Sequence, residues 1–368
     1  MEVYVLMVWI VSLLASGLLI SVAIRTVILY KYKPVKNSSP VAVSVVIAAR
    51  NEADHLQELV LSIINQKHPD FELIIVLDRC TDHSLDIMKQ LESSYPELKT
   101  VIVDYLPDHF SPKKYALTLG IKAAKNECIL MTDADCLPAS EEWIEIMSQL
   151  FTEKTNFVLG YAPYRRNSTW LNRLIQHETF ITGFYYLTSA ILFRPFMAVG
   201  RNLIVRRSFF LTINGYNKFQ HLQGGDDDLL VHHHARRPET QVCLESAAHM
   251  YSHPKTQWVD YYYQKIRHLG IGKYYRKSSK IRHTINWLVS LGLWVTFCIL
   301  AIVRLDFFPL YLIFIGYILI KGLTYWLVKR KMDNGYSHGW FPVFEILHLI
   351  LMPVFAIGGR VTKRVKWK

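Results

Sequence analysis

A chain of 368 residues has room for one globular domain plus membrane segments. Its composition is 51% hydrophobic and 13% aromatic, which argues against a purely soluble protein. The 42 basic residues exceed the 30 acidic ones, for a formal charge of +12. Such an excess suits nucleic acid, anionic lipid or a phosphorylated ligand. Here the charges cluster beside apolar runs, so a membrane surface is expected and a nucleic-acid partner is not.

The first element, residues 3–24, carries no charge and is long enough to span a hydrocarbon core of about 30 Å. A cleaved signal peptide is the competing reading. No basic residue precedes the run and no A-x-A site follows it, which favours an anchor over residues 1–30. Arg25, Lys31, Lys33 and Lys36 come next. The positive-inside rule then places the N-terminus outside and the following domain in the cytoplasm. The five cysteines, Cys80, Cys128, Cys136, Cys243 and Cys298, show no zinc or CxxC spacing and read as reduced, as in the cytosol.

From 40 to 283 the pattern becomes that of an α/β domain. Residues 43–49 form a short β-branched run, and Asn51 can cap the helix that follows. Leu56, Leu59, Val60, Ile63 and Ile64 fall on one face of that helix. Residues 73–77 make a second strand, Asp82 opens a second helix, and residues 100–103 make a third strand. Ser111 and Pro112 start a third helix in N-cap and first-turn order. Residues 127–132 make a fourth strand. This alternation predicts a mostly parallel sheet with helices on both faces. Ligands of such sheets bind beyond the carboxyl ends of the strands.

The C-terminal region, residues 284–368, predicts a membrane hairpin over 287–328, turned by Arg304, Leu305 and Asp306. Lys321 lies within its second arm, and Lys329, Arg330 and Lys331 mark a cytoplasmic end. Residues 340–358 hold Pro342, Glu345, His348 and Pro353 and precede a basic tail with Arg360, Lys363, Arg364, Lys366 and Lys368. A span would carry that tail outside, so an interfacial or re-entrant segment is expected.

Three of the strands end in polar groups: Arg50-Asn51-Glu52, Asp78, and Asp133-Ala134-Asp135. In an extended backbone Asp133 and Asp135 point the same way. Two hard carboxylates at that spacing can hold Mg²⁺ or Mn²⁺ and leave positions for phosphate oxygens. A solvated turn is the plainer alternative. Asp78 can accept a hydrogen bond from a nucleobase N–H. Gly224-Gly225-Asp226-Asp227-Asp228 sets three repelling carboxylates behind two permissive glycines. One of them can serve as a general base, with Asp228 suited to capping a helix. His232, His233 and His234 read as a helix face near the site rather than as metal ligands. Arg267 can neutralise a diphosphate leaving group, although the basic, aromatic stretch around it also suits lipid headgroups.

These motifs together resemble the family-2 glycosyltransferases of the GT-A fold. The resemblance runs from about 40 to 270. It rests on residues 45–52, Asp78 with Cys80-Thr81-Asp82, Lys113 with Ala116-Leu117 and Gly120, Asp133-Ala134-Asp135, residues 224–229, and Gln264 with Arg267. It implies a nucleotide site at Arg50, Glu52, Asp78 and Lys113, with a metal and diphosphate at Asp133 and Asp135. It places the catalytic carboxylate at Asp226, where Gly225 replaces the family's glutamate and leaves Asp227 as the alternative. Gln264, Arg267 and His268 resemble a Q-x-x-R-W motif with histidine for tryptophan. Arg201 and Asn202 resemble the segment lining the acceptor side. The implied reaction is inverting transfer from a UDP- or GDP-sugar to a lipid-linked or cell-envelope glycan acceptor. The expected location is the cell (inner) membrane, multi-pass, with the catalytic domain cytoplasmic. A processive synthase is the rival enzyme, with few segments for a channel. A non-catalytic nucleotide-sugar-binding protein is the rival from another class, and it has no need of a base. A nucleotidyltransferase would favour a glycine-rich loop where Arg50-Asn51-Glu52 stands.

Overall fold

The computed structural model describes residues 2–303, 308–333 and 338–361. The expected hairpin turn at Arg304, Leu305 and Asp306, and the basic tail at Lys363, Arg364, Lys366 and Lys368, lie outside the described residues. So does the side chain of Arg360.

The chain begins with α1 (Glu2–Lys31) and enters the sheet through β1 (Val43–Ala49). The domain continues with α2 (Ala53–Ile64), β2 (Phe71–Asp78), α3 (Ser84–Glu92), β3 (Leu98–Val103), α4 (Pro112–Ala123) and β4 (Cys128–Asp133). Next come β5 (Cys136–Pro138), α5 (Trp143–Gln149), β6 (Phe157–Leu159), α6 (Trp170–Leu192), β7 (Leu203–Arg206) and α7 (Arg207–Thr212). After them follow α8 (Asp228–His234), β8 (Thr240–Val242), β9 (Met250–Ser252) and α9 (Trp258–Ile271). Three long apolar helices complete the described chain: α10 (Lys277–Val303), α11 (Phe308–Met332) and α12 (Phe341–Val361).

The sheet has seven strands in the order β3-β2-β1-β4-β7-β6-β8. The ladders β3-β2-β1-β4 and β6-β8 are parallel, and β7 runs against both its neighbours. The mostly parallel expectation therefore holds. Successive residues of β1 alternate between two cores. Val46 and Ala48 face Ala116, Leu117 and Phe184 on the side of α4 and α6, while Val45 and Ile47 face Leu56, Leu59 and Trp143 on the side of α2 and α5. That two-sided burial explains why β1 and β2 read as continuous apolar runs.

Two local expectations are corrected. Asn51 does not cap α2. It sits at φ 53°, and its Oδ1 accepts from the Thr81 N–H at 2.8 Å. Asp82 does that work instead, accepting from the Ala53 N–H at 3.0 Å and the Ser84 N–H at 3.1 Å. One carboxylate thus serves the first turns of both α2 and α3.

Residues 5–31, 277–302, 308–332 and 341–359 form helices long and apolar enough to cross a membrane. They are joined to the domain rather than tethered by a loose linker. Val22 and Leu29 of α1 and Tyr325 and Val328 of α11 belong to the same buried cluster as β1 and β4. Arg25, counted above in the basic cluster after the first apolar run, is buried and donates to the hydroxyls of Thr188 (2.9 Å) and Ser189 (3.1 Å) on α6. Lys321 is satisfied within the apolar region by Glu345 at 2.6 Å and the Tyr317 hydroxyl at 2.7 Å. The α12 helix is unbroken and does not double back. It packs along α9, with Phe344 and Phe355 against Tyr261 and Ile266.

Gly120 fixes the approach of α4 to the sheet, because a Cβ there would lie 2.5 Å from Val46 Cγ1 and 2.8 Å from Val76 Cγ2. Gly120→Val is therefore expected to lower unfolding stability by about 1–3 kcal/mol through overpacking. Thermal unfolding of the purified chain checks this, and an unchanged midpoint would contradict the close approach.

Candidate active site

Parallel pairing of β1 with β4 places Ala48 opposite Asp133. Arg50 and Glu52, just beyond β1, therefore emerge at the same sheet edge as Asp133 and Asp135. All four line one cavity of about 990 Å³. Glu52 accepts from His55 Nδ1 at 2.8 Å, and Asp135 Oδ1 lies 3.4 Å from the Cys136 thiol.

Lys113, in the first turn of α4, reaches across this edge. Its ammonium lies 2.7 Å from Asp133 Oδ1 and 2.9 Å from Asp226 Oδ2. Burial alone would lower its pKa, but Asp133, Asp226 and Asp227 outweigh that and raise it well above the usual lysine value. The charge is permanent at physiological pH.

The acidic cluster enters through two left-handed glycines, Gly224 at φ 88° and Gly225 at φ 74°. A Cβ on Gly225 would also sit 2.9 Å from Leu229 Cγ. Sequence reasoning missed the neighbour that holds this loop. Lys114 is fully buried and donates to the Leu222 carbonyl at 2.5 Å and the Gly224 carbonyl at 2.6 Å. Consecutive lysines on α4 thus split their work, one on carboxylates and one on the loop backbone. The apolar spacing of α4 left Lys114 on its inner face, which was the available signal.

The three aspartates have different surroundings. Asp226 faces the cavity, and Lys113 and Lys114 overcome the effect of burial to hold its pKa below the usual carboxylate value. Asp227 is the cap of α8. Its Oδ1 accepts from the Asp228 N–H at 2.7 Å and its Oδ2 from the Gly200 N–H at 2.5 Å. Burial and the adjacent Asp226 push it up to about 6. Asp228 is the first residue of α8 rather than its cap, which corrects the expectation above. Burial, then Asp227, raise its pKa well above the usual range, and the Tyr275 hydroxyl bonds to it.

The remaining expected residues divide. Gln264, Arg267 and His268 on α9 line the cavity, and Gln264 Nε2 donates to the Tyr164 hydroxyl at 3.2 Å. Arg201 also lines it. Asn202 does not. It is fully buried and donates to the Tyr161 (3.0 Å) and Ala248 (2.8 Å) carbonyls while accepting from Trp143 Nε1 at 3.0 Å. Asp78 also departs from expectation. It is fully buried, off the cavity wall, and both its oxygens accept from Arg79, at 2.8 and 3.0 Å. His232 is structural: its Nδ1 meets the Phe196 carbonyl at 2.9 Å and its Nε2 the Arg276 N–H at 2.7 Å.

Among the described residues no three His, Cys, Asp or Glu side chains converge to hold a metal ion by themselves. Two cavity-facing carboxylates, Asp133 and Asp135, nonetheless fit Mg²⁺ or Mn²⁺, which commonly bind one or two carboxylates and complete their shell with phosphate and water oxygens.

Comparison with known proteins agrees with this geometry. The family model described as Glycosyl transferase family 2 matches residues 44–213. The probable glycosyltransferase YdaM of Bacillus subtilis is 26% identical over 182 residues, covering 48% of this chain and 43% of that protein. The poly(ribitol-phosphate) beta-glucosyltransferase of Bacillus spizizenii is 36% identical over 120 residues, covering 32% of this chain and 18% of that protein. The alignments thus span less than half the length of either relative. Among solved structures, the mannosyltransferase PcManGT of Pyrobaculum calidifontis, in complex with GDP-Man and Mn²⁺, superimposes with a TM-score of 0.54 at 13% identity. That superposition covers 95% of this chain and 98% of that one, so the fold is shared across nearly the whole length. Residues 44–213 form a glycosyltransferase family 2 domain, and the chain has the GT-A fold.

Proposed function

We propose that the protein transfers a sugar, with inversion, from a UDP- or GDP-sugar to a lipid-linked or cell-envelope glycan acceptor at the cytoplasmic membrane face. The observation that carries this reading is the continuity of the cavity. It runs from Arg50 and Glu52, past Asp133, Asp135 and Asp226, to Trp287, Glu345 and Met352 on the apolar helices. A donor held at the sheet edge and an acceptor entering from the membrane would meet at Asp226. The poly(ribitol-phosphate) named for the Bacillus spizizenii relative supports a cell-envelope polymer as the acceptor class.

In this reading Asp226 accepts the acceptor's hydroxyl proton as the glycosidic bond forms. It is suited to that role because it is ionised and faces the cavity. Asp227, with both oxygens on backbone N–H groups, fixes the backbone that presents Asp226. Lys113 holds Asp226 and Asp133 at a set separation. Asp133 and Asp135 would hold Mg²⁺ or Mn²⁺, which would stabilise the leaving diphosphate. Arg50, Glu52, Gln264 and Arg267 would line the donor's path.

Removing the base should lower kcat by about 10²- to 10⁴-fold with donor affinity little changed. Asp226→Asn is expected to do this, while Asp227→Asn should cost mainly stability through the lost cap. Separate measurements of donor binding and transfer decide the matter. Near-normal transfer by Asp226→Asn with loss in Asp227→Asn would shift the assignment by one residue.

Metal dependence has its own test. Asp135→Ala should abolish metal-dependent transfer while the melting temperature stays near that of the unaltered chain. Full activity of this variant, or of the unaltered chain in EDTA, would refute the metal's role.

The topology follows from charge. Lys31, Lys33 and Lys36 support an inside position for the end of α1. The α12 helix would lie at the interface, because it runs along α9, which carries Asp260, Lys265 and Arg267 and is not among the helices apolar enough to cross a membrane. A cysteine introduced at Ser39, with the exposed Cys298 replaced, should resist an impermeant maleimide in intact cells and react after permeabilisation. Labelling in intact cells would reverse the orientation.

A further inference from the structure

Most cations of the site already have partners. Lys113 is committed to Asp133 and Asp226, and Lys114 to two carbonyls. Arg201 differs. Its guanidinium carbon lies over the Tyr164 ring, 4.2 Å from the centroid, and its Nη1 is buried with no acceptor among the described residues. It lines the cavity and is drawn electrostatically toward Asp133 and Asp135, yet it forms an ion pair with neither. Tyr164 is itself held from the far side, its hydroxyl accepting from Gln264. The contact with the ring holds the guanidinium in the cavity wall and leaves Nη1 unused.

A desolvated N–H on a cation is costly when unsatisfied, and a planar fork suits phosphoryl oxygens better than a point charge does. We propose that Arg201 is a phosphoryl-binding residue of this site, positioned by Tyr164 and Gln264 to take a non-bridging phosphate oxygen. The inference rests on the glycosyltransferase reading above. The phosphoryl group has two sources there: the diphosphate of the donor, or a phosphate on a lipid-linked acceptor.

The test uses the full chain in detergent micelles and reads binding rather than turnover. The probes are UDP and GDP with Mn²⁺, and a polyprenyl phosphate. Arg201→Met should weaken at least one of them about tenfold or more. Arg201→Lys should recover only part of the loss, because it restores charge without the fork. Thermal unfolding of both variants separates lost binding from lost structure. Should Arg201→Met fail to fold, Arg201→Lys and Tyr164→Leu, which removes the stacking platform, carry the same measurement. Selective loss of nucleoside diphosphate binding assigns Arg201 to the donor, and selective loss of polyprenyl phosphate binding assigns it to the acceptor. Unchanged affinity for all probes in folded variants overturns the proposal and leaves the glycosyltransferase reading standing. If the unaltered chain binds none of the probes, both fail.

Discussion

The two halves of the site are joined by one ammonium group. Asp133 ends β4, and Asp226 precedes α8 much later in the chain. Lys113 bridges them at 2.7 and 2.9 Å. Two carboxylates brought that close without a cation would repel each other and shift toward protonation. With Lys113 between them, Asp226 stays ionised despite burial. The bridge depends in turn on α4 lying tight against the sheet, which Gly120 allows, and on Lys114 pinning the loop from the next position of the same helix. A shift of α4 would therefore disturb the sheet edge and the acidic loop together.

The triple aspartate shows how one short segment yields three chemically distinct groups. Repulsion among them is relieved by giving each a different partner. Asp226 has the lysines, Asp227 has two backbone N–H groups, and Asp228 has the Tyr275 hydroxyl. Lowered, moderately raised and strongly raised proton affinities follow in chain order. Of the three, Asp226 is thus the one held ionised well below neutral pH.

Much of this was legible in the sequence, for definable reasons. The parallel strands up to β4 are buried on both faces, so their apolar runs and the polar residues after them stand out. The carboxylates of 133, 135 and 226 were found because strand ends and glycine pairs have local signatures. What stayed hidden depends on contacts distant in sequence. Nothing near Asp227 announces that it, rather than Asp228, caps α8, because its second acceptor bond goes to Gly200. Asp78 looked like a ligand-facing strand end, but its neighbour Arg79, in a left-handed conformation, folds back and covers both oxygens. Arg25 read only as a topology marker because Thr188 and Ser189, its partners, lie on α6 far along the chain.

The apolar helices are built into the domain, and Glu178 shows how. This buried carboxylate on α6 is met by Lys265 and Tyr261 of α9 and by His348 of α12, the last at 3.2 Å. Burial would raise its pKa, yet Lys265 and His348 drive it well below the usual range, so the group is a fixed negative charge. Breaking one partner of such a buried set leaves an uncompensated charge, which is far costlier than losing a surface pair. The α9 helix carries Gln264 and Arg267 on the cavity wall, so the junction that holds α12 also sets the position of that wall. The apolar helix α12 and the glycosyltransferase domain therefore share a buried polar junction, and neither can be repositioned there without exposing or orphaning the Glu178 charge.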